Sequence, residues 1–341
     1  MEHKKPHTGV LIVNLGTPDS PNRGDVYRYL KQFLLDPRVI DVSWIQRQLL
    51  VRGIIAPFRS GSSGELYKQM WDEKGSPLKY HSVSLVKGVQ KILGEGYHVE
   101  LGMRYQNPSI PSALDKIEKS RVDRIIVFPM FPHYASASTG SAHEEVMRYF
   151  LNKQVIPELK FINSYFDDQD LIDLFVKKGS EFNTEDYDHI LFSFHGLPER
   201  QMIKQDIGNH CQQSKDCCKT FSEKNKTCYS AQCYVTAKGI AKKLSLTEDQ
   251  YTVSFQSRLG RAEWIKPYTT SVLKERAEKG DKKILCYCPA FTADCLETII
   301  ELGVEYTEEW EEMGGETFDW VRSLNDDPDW MKTVARIVQE V

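Results

Sequence analysis

His195 closes an apolar run, HILFSFHG at 189–196, and is followed by Leu197, Pro198 and Glu199. A histidine at a strand end before a glycine turn can accept and return protons near neutral pH, although a purely structural histidine would leave the same trace. A second run, KILCYCP at 283–289, leads into FTADCLETIIELG, in which Asp294, Glu297 and Glu301 fall at i, i+3 and i+7. On a helix that spacing makes one acidic stripe. Such a stripe could attract a cation or relay protons, and it could equally complement a helix N-terminus on a solvated face. A third grouping, HCQQSKDCCKTFSEKNKTCYSAQC at 210–233, holds Cys211, Cys217, Cys218, Cys228 and Cys233 in polar, charged chain. Four thiolates suit either zinc or a [2Fe-2S] centre, and the spacing lacks the paired CxxC knuckles common in zinc sites.

These residues need elements to hold them. Apolar runs recur at 9–16, 98–105, 124–131, 160–166, 189–196, 251–257 and 283–289, and runs so continuously apolar predict strands buried on both faces. Between them lie helical patterns such as DVYRYLKQFLLD, where Val26, Tyr29, Leu30, Phe33 and Leu34 repeat at helical spacing. The alternation predicts an α/β protein of two doubly wound halves with parallel sheets. The boundary is expected within 167–188, giving an N-terminal domain of 1–170 and a C-terminal domain of 171–341, with the last helix able to pack back on the first half. Ligands of open α/β sheets sit at the carboxyl ends of strands. That places His195, the FTADCLET turn, Arg104 and Tyr105 after HVELGM, and the Ser/Thr/Gly-rich MFPHYASASTGS after RIIVFP where chemistry is expected. The chain has no GxxxxGKS, and no GxGxxG follows its first strand, so nucleotide binding is weakly supported.

At 341 residues, 40% hydrophobic and 27% charged, with a formal charge of -4, the composition is that of an ordinary globular protein and offers no basic footprint for nucleic acid. The N-terminal MEHKKPHTGV runs straight into a strand pattern without the apolar core of a secretory signal. No apolar run approaches the roughly 18 residues of a membrane span. A cytoplasmic protein is expected, and in a reducing compartment clustered thiols hold metal more readily than they form disulfides. The segment WIQRQLLVRGIIAPFRS at 44–60 mixes Trp44, Ile45, Leu49, Leu50, Val51, Ile54, Ile55 and Phe58 with Arg47, Arg52 and Arg59. It reads either as core or as an apolar lip resting on a membrane surface.

Taken in order, GVLIVNLGTPDSP, GMRYQNP, IIVFPMFPHYASASTGS, SFHGLPER, FQSRLGRAEWIKPYT, CPAFTADCLETI and SLNDDP resemble the ferrochelatases, which insert ferrous iron into a porphyrin to make heme. The matches run from residue 9 to about 328. The resemblance implies two Rossmann-like, chelatase-type domains with the porphyrin in a cleft between them. It also implies His195 as the group that takes pyrrole protons or meets the substrate iron, with Asp294 and Glu297 as its catalytic carboxylates. Glu297 is a second candidate iron ligand. Leu15, Arg104, Tyr105, Ser136, Ser138 and Thr139 are the expected porphyrin contacts. Where the family has an FxSDHIET variant with a histidine, this chain has Cys295.

Relatives that take protoporphyrin resemble NLGTP or NMGGP after the first strand, and those that take coproporphyrin resemble AYGTP. With Asn14, Leu15 and Gly16 here, protoporphyrin IX is the expected substrate and coproporphyrin III the alternative. A cobalt or nickel chelatase, or a non-catalytic metal-binding protein on the same fold, are the rivals. Some ferrochelatases carry a [2Fe-2S] cluster on an internal cysteine segment, and the resemblance implies one here. Adjacent side chains diverge in an extended chain, so one of Cys217 and Cys218 should be spare. Cys211, Cys218, Cys228 and Cys233 are the expected ligands, with Cys217 the alternate. In the family an apolar lip like 44–60 lies near the cleft mouth, which implies peripheral membrane contact.

Overall fold

A computed structural model describes residues 7–214, 216–258, 260 and 262–341. The chain divides into two compact units: one comprises residues 1–131, 135–163 and 325–341, the other 132–134 and 164–324.

The first unit is built on a parallel four-stranded sheet of β1 (Thr8–Gly16), β2 (Tyr97–Tyr105), β3 (Arg124–Pro129) and β4 (Glu158–Phe161), in the order β2-β1-β3-β4. The continuous apolar run of β1 is explained by its central place. Val10, Leu11, Ile12 and Val13 are fully buried, and Leu11 and Val13 pack with Ile110, Leu114, Ile117, Val146 and Phe150 from the covering helices. The closing helix Pro328–Gln339 lies against the helix Pro77–Leu93, so closely that a Cβ on Gly88 would fall on the Met331 sulfur. The last helix therefore belongs to the first unit.

The second unit repeats the plan with β5 (His189–His195), β6 (Tyr251–Gln256), β7 (Lys283–Tyr287) and β8 (Thr317–Trp320), all parallel in the order β6-β5-β7-β8. Its core joins Leu191, Leu273, Ile284, Cys286, Leu302 and Trp310. In each sheet the chain reverses its direction of winding beside the first strand, between β1 and β3 and between β5 and β7. Ligands of doubly wound sheets gather outside the carboxyl ends of strands at such a reversal. Among the described residues three segments are π-helical, Leu49–Ile55, Ser136–Gly140 and Glu297–Tyr306. Short π segments often mark functional positions, and all three coincide with stretches the sequence singled out.

Candidate active site at the strand ends

β5 delivers His195 to the edge of its sheet, and β7 leads through Pro289 and Phe291 to Asp294 and Glu297. His195 is half-buried. Its Nδ1 is enclosed without a hydrogen-bond partner, and its ring meets that of Phe291 edge-on, with centroids 6.1 Å apart. An orphaned buried ring nitrogen costs free energy unless a ligand or proton uses it.

The expected α-helix through the acidic stripe is instead a π-helix that starts at Glu297. Asp294 falls before it and is buried, with Oδ1 accepting from Thr298 Oγ1 at 3.1 Å and the Ser323 N–H at 3.2 Å, and with Arg322 Nη1 3.5 Å from Oδ2. Asp294 thus anchors the turn. Glu297 is half-buried near the Cys295 thiol, whose pKa is driven up first by burial and then by the Glu297 charge. Glu301 is held at both oxygens: Ser257 Oγ donates to Oε2 at 2.5 Å, Gln256 Nε2 to Oε2 at 3.0 Å and Tyr306 Oη to Oε1 at 3.0 Å. Among the described residues no ion pair reaches Glu297 or Glu301. The negative field of the site registers on Cys288, whose thiol is driven far up first by burial and then by Cys286, Glu301, Glu297 and Asp294. Glu305 is raised by burial and then by Glu301, which extends the row along the π-helix.

Gln256 was not singled out by the sequence. It is buried at the end of β6, where its Oε1 accepts from Ser193 Oγ at 2.7 Å and its Nε2 reaches Glu301, so it couples β5 to the acidic row. Only its place after an apolar run could have hinted at this.

The strand ends of the first unit are finished differently. Arg104 and Tyr105 close β2, and both turn to Asp36: Arg104 Nη2 donates to its Oδ2 at 2.7 Å, Tyr105 Oη at 2.9 Å and Ser141 Oγ at 2.5 Å. Tyr105 is fully buried, and burial followed by the Asp36 charge pushes its phenol far up. Both residues brace the start of the helix Ser141–Phe150, with the Tyr105 side chain enclosed and the Arg104 side chain partly exposed. Ser136, Ser138 and Thr139 lie together in the π-turn before it. Ser136 Oγ accepts from Arg38 Nη1 at 2.9 Å, and Thr139 Oγ1 is buried without a partner. Leu15 is half-buried at the end of β1, before Gly16. Gly16 has φ +109°, and a Cβ there would overlap the Tyr105 carbonyl.

The cysteine segment is ordered by polar knots rather than by thiols alone. The Asp206 carboxylate accepts the N–H groups of Gly208, His210 and Cys211 at 2.7 to 2.9 Å, and that from Cys211 leads in holding its pKa low. Asn225 donates to the carbonyls of Cys217 and Thr220. Cys211, Cys217, Cys218 and Cys228 line one cavity with Met202, Asp206 and Asn225. The Sγ atoms of Cys217 and Cys218 are 3.5 Å apart and those of Cys218 and Cys228 3.9 Å. Because the chain turns at 216–219 instead of extending, the adjacent thiols do not diverge as expected, and Cys217 joins the set. Cys233 does not line the cavity. It is fully buried a turn into the helix Tyr229–Lys243. Two thiolates on one tetrahedral metal at about 2.3 Å stand about 3.8 Å apart, so the spacing fits. Even so, among the described residues no group of three or more His, Cys, Asp and Glu is drawn together closely enough to hold a metal.

The sequence profile of the ferrochelatase family matches residues 7–341. The ferrochelatase of Legionella pneumophila (strain Lens) is 44% identical over 332 residues, covering 97% of this chain and 98% of its own. The chain belongs to the ferrochelatase family. The ferrochelatase of Coxiella burnetii (strain Dugway 5J108-111) is likewise 44% identical, over 97% of this chain and 93% of its own. In fold, the chain is similar to SirB from Bacillus subtilis with Fe3+, at a TM-score of 0.55 and 11% identity over 98% of this chain and 94% of that one. The activity is that of a ferrochelatase, a lyase that inserts ferrous iron into a porphyrin in heme synthesis.

Proposed function

We propose that the porphyrin is protoporphyrin IX, that His195 accepts its pyrrole protons, and that Glu297 and Glu301 carry them away or admit the iron. The observation that supports this is the orphaned Nδ1 of His195 at the end of β5, next to a strand, β7, that leads to Glu297 and Glu301, which no ion pair reaches among the described residues. Insertion converts ferrous iron and a porphyrin with two N–H groups into the iron porphyrin and two protons, so a base on the macrocycle and a route for charge are both required. Asp294 and Gln256 fix the turn and the row. In the first unit, Leu15 and the Ser136–Thr139 turn offer an apolar and a polar contact to the tetrapyrrole. Arg104 and Tyr105 support that turn through Asp36 and Ser141.

We further propose a [2Fe-2S] cluster on Cys211, Cys217, Cys218 and Cys228, a reading that rests on their sharing one cavity and on the two thiol spacings, and that needs the four thiols to draw closer when the cluster binds. When bound, such a cluster supplies a redox-active chromophore and a cross-link. Insertion of ferrous iron needs no electron transfer, so its role here is structural or sensory. The lip is exposed at Trp44 (67%), Leu49 (69%) and Phe58 (78%), while Val51 is core. Arg52 and Arg59 are exposed, but Arg47 is turned inward to the carbonyls of Ile40 and Val42. These exposed apolar and basic residues support the reading of the lip as a peripheral seat on an anionic membrane on the cytoplasmic side; among the described residues no helix is long and apolar enough to cross one. The deciding experiment for substrate is anaerobic ferrous-iron insertion into each porphyrin. Protoporphyrin IX should give the higher kcat/KM, and a preference for coproporphyrin III would overturn the assignment.

A further inference from the structure

Gly196 carries the chain away from the end of β5 hard against β6. Its N–H donates to the Gln256 carbonyl at 2.8 Å, and a Cβ there would come within 2.7 Å of the same oxygen. On the other side, the His195 carbonyl accepts the Tyr229 hydroxyl at 2.9 Å. Tyr229 is buried, its ring meets His133 edge-on, and His133 in turn meets Phe194 of β5 edge-on. A hydrogen bond in so enclosed a place is costly to leave unmade. Tyr229 also opens the helix Tyr229–Lys243 directly after Cys228, a wall of the cysteine cavity.

We infer that Tyr229 is a positioning residue for iron insertion: by holding the His195 carbonyl it fixes the peptide between His195 and Gly196, and with it the direction in which the imidazole leaves the backbone. One residue thereby joins the cysteine cavity to the proton-accepting group. The inference rests on the reading of His195 as that group.

Tyr229→Phe keeps the ring and its packing and removes only the hydroxyl. Because small misplacements of a reacting group are costly, kcat should fall about tenfold with porphyrin KM within about twofold, and the acid limb of the kcat–pH profile should move. A purely structural loss would move neither the limb nor the ratio of kcat to KM in this way. Wild-type kcat and an unmoved limb in Tyr229→Phe, alongside an inactive His195→Ala, would overturn the inference; turnover in His195→Ala would instead overturn the reading of His195. Should Tyr229→Phe fail to fold, 3-fluorotyrosine at 229, which keeps the ring and changes the strength of the donor, must change kcat while leaving porphyrin KM within about twofold. An unchanged kcat would count against the inference.

Discussion

The two sheets share one topology, with the same strand order about their first strands, yet their strand ends are chemically opposite. At the end of β2, Arg104, Tyr105 and Ser141 converge on Asp36, and the charges and donors satisfy one another. At the ends of β5 and β7, among the described residues, His195 keeps an unpartnered nitrogen and no ion pair reaches Glu297 or Glu301, the latter held by hydroxyl and amide groups instead. The repeated plan fixes where a ligand would lie. What distinguishes a brace from a reactive site is which polar groups the surrounding residues leave unsatisfied.

That contrast can be broken most severely at the acidic row. Glu297→Gln should lower kcat about 100-fold, the lower scale for losing a proton-transfer group, with folding intact by circular dichroism. Near-normal turnover would make the row a second brace. At the opposite end, Asp36→Ala should cost about 3 kcal/mol of stability by leaving the largely buried Arg104 with only the longer Glu145 contact for its charge. Denaturant melts check this, and the folded protein should keep its kcat within a few-fold. A large loss of kcat with unchanged stability would erase the distinction between the two ends.

How much of this could be read from the chain varies with the range of the interaction involved. Six strands were legible because buried parallel strands are continuously apolar, whereas the run at 160–166 meets the short edge strand β4 only at Lys160 and Phe161. The eighth, Thr317–Trp320, escaped because it is four residues long at a sheet edge, with only Phe318 fully inside. His195 and the carboxylates stood out by their place after strands. The π-helix at Glu297–Tyr306 did not, since a shift from i→i+4 to i→i+5 bonding leaves no clear periodic trace in ten residues. Arg104 and Tyr105 gave no sign of their partner, because Asp36 lies 68 and 69 residues away. Gln256 and Tyr229 are defined by long-range hydrogen bonds and were silent for the same reason. The adjacent cysteines were judged from an extended backbone that the turn at 216–219 replaces.

Two smaller effects sharpen the comparison by testing what lies outside both sheet ends. Protein purified anaerobically should be red-brown, and Cys228→Ser should bleach it while Cys233→Ser leaves the visible spectrum intact. A colourless wild type, or bleaching by Cys233→Ser, would refute the cavity set. Leu49→Ser with Ile54→Ser should reduce cosedimentation with anionic vesicles a few-fold and leave turnover of detergent-solubilised porphyrin unchanged. Failure of the wild type to bind such vesicles at low salt would end the lip reading.

The most direct measurement is anaerobic single turnover of His195→Ala with bound protoporphyrin IX, paired with a fluorescence titration of the porphyrin alone. The expected result is porphyrin affinity within a few-fold of wild type and insertion at least about 100-fold slower. Insertion at the wild-type rate by the folded variant would contradict the claim that the unsatisfied end of β5 is where the protons leave.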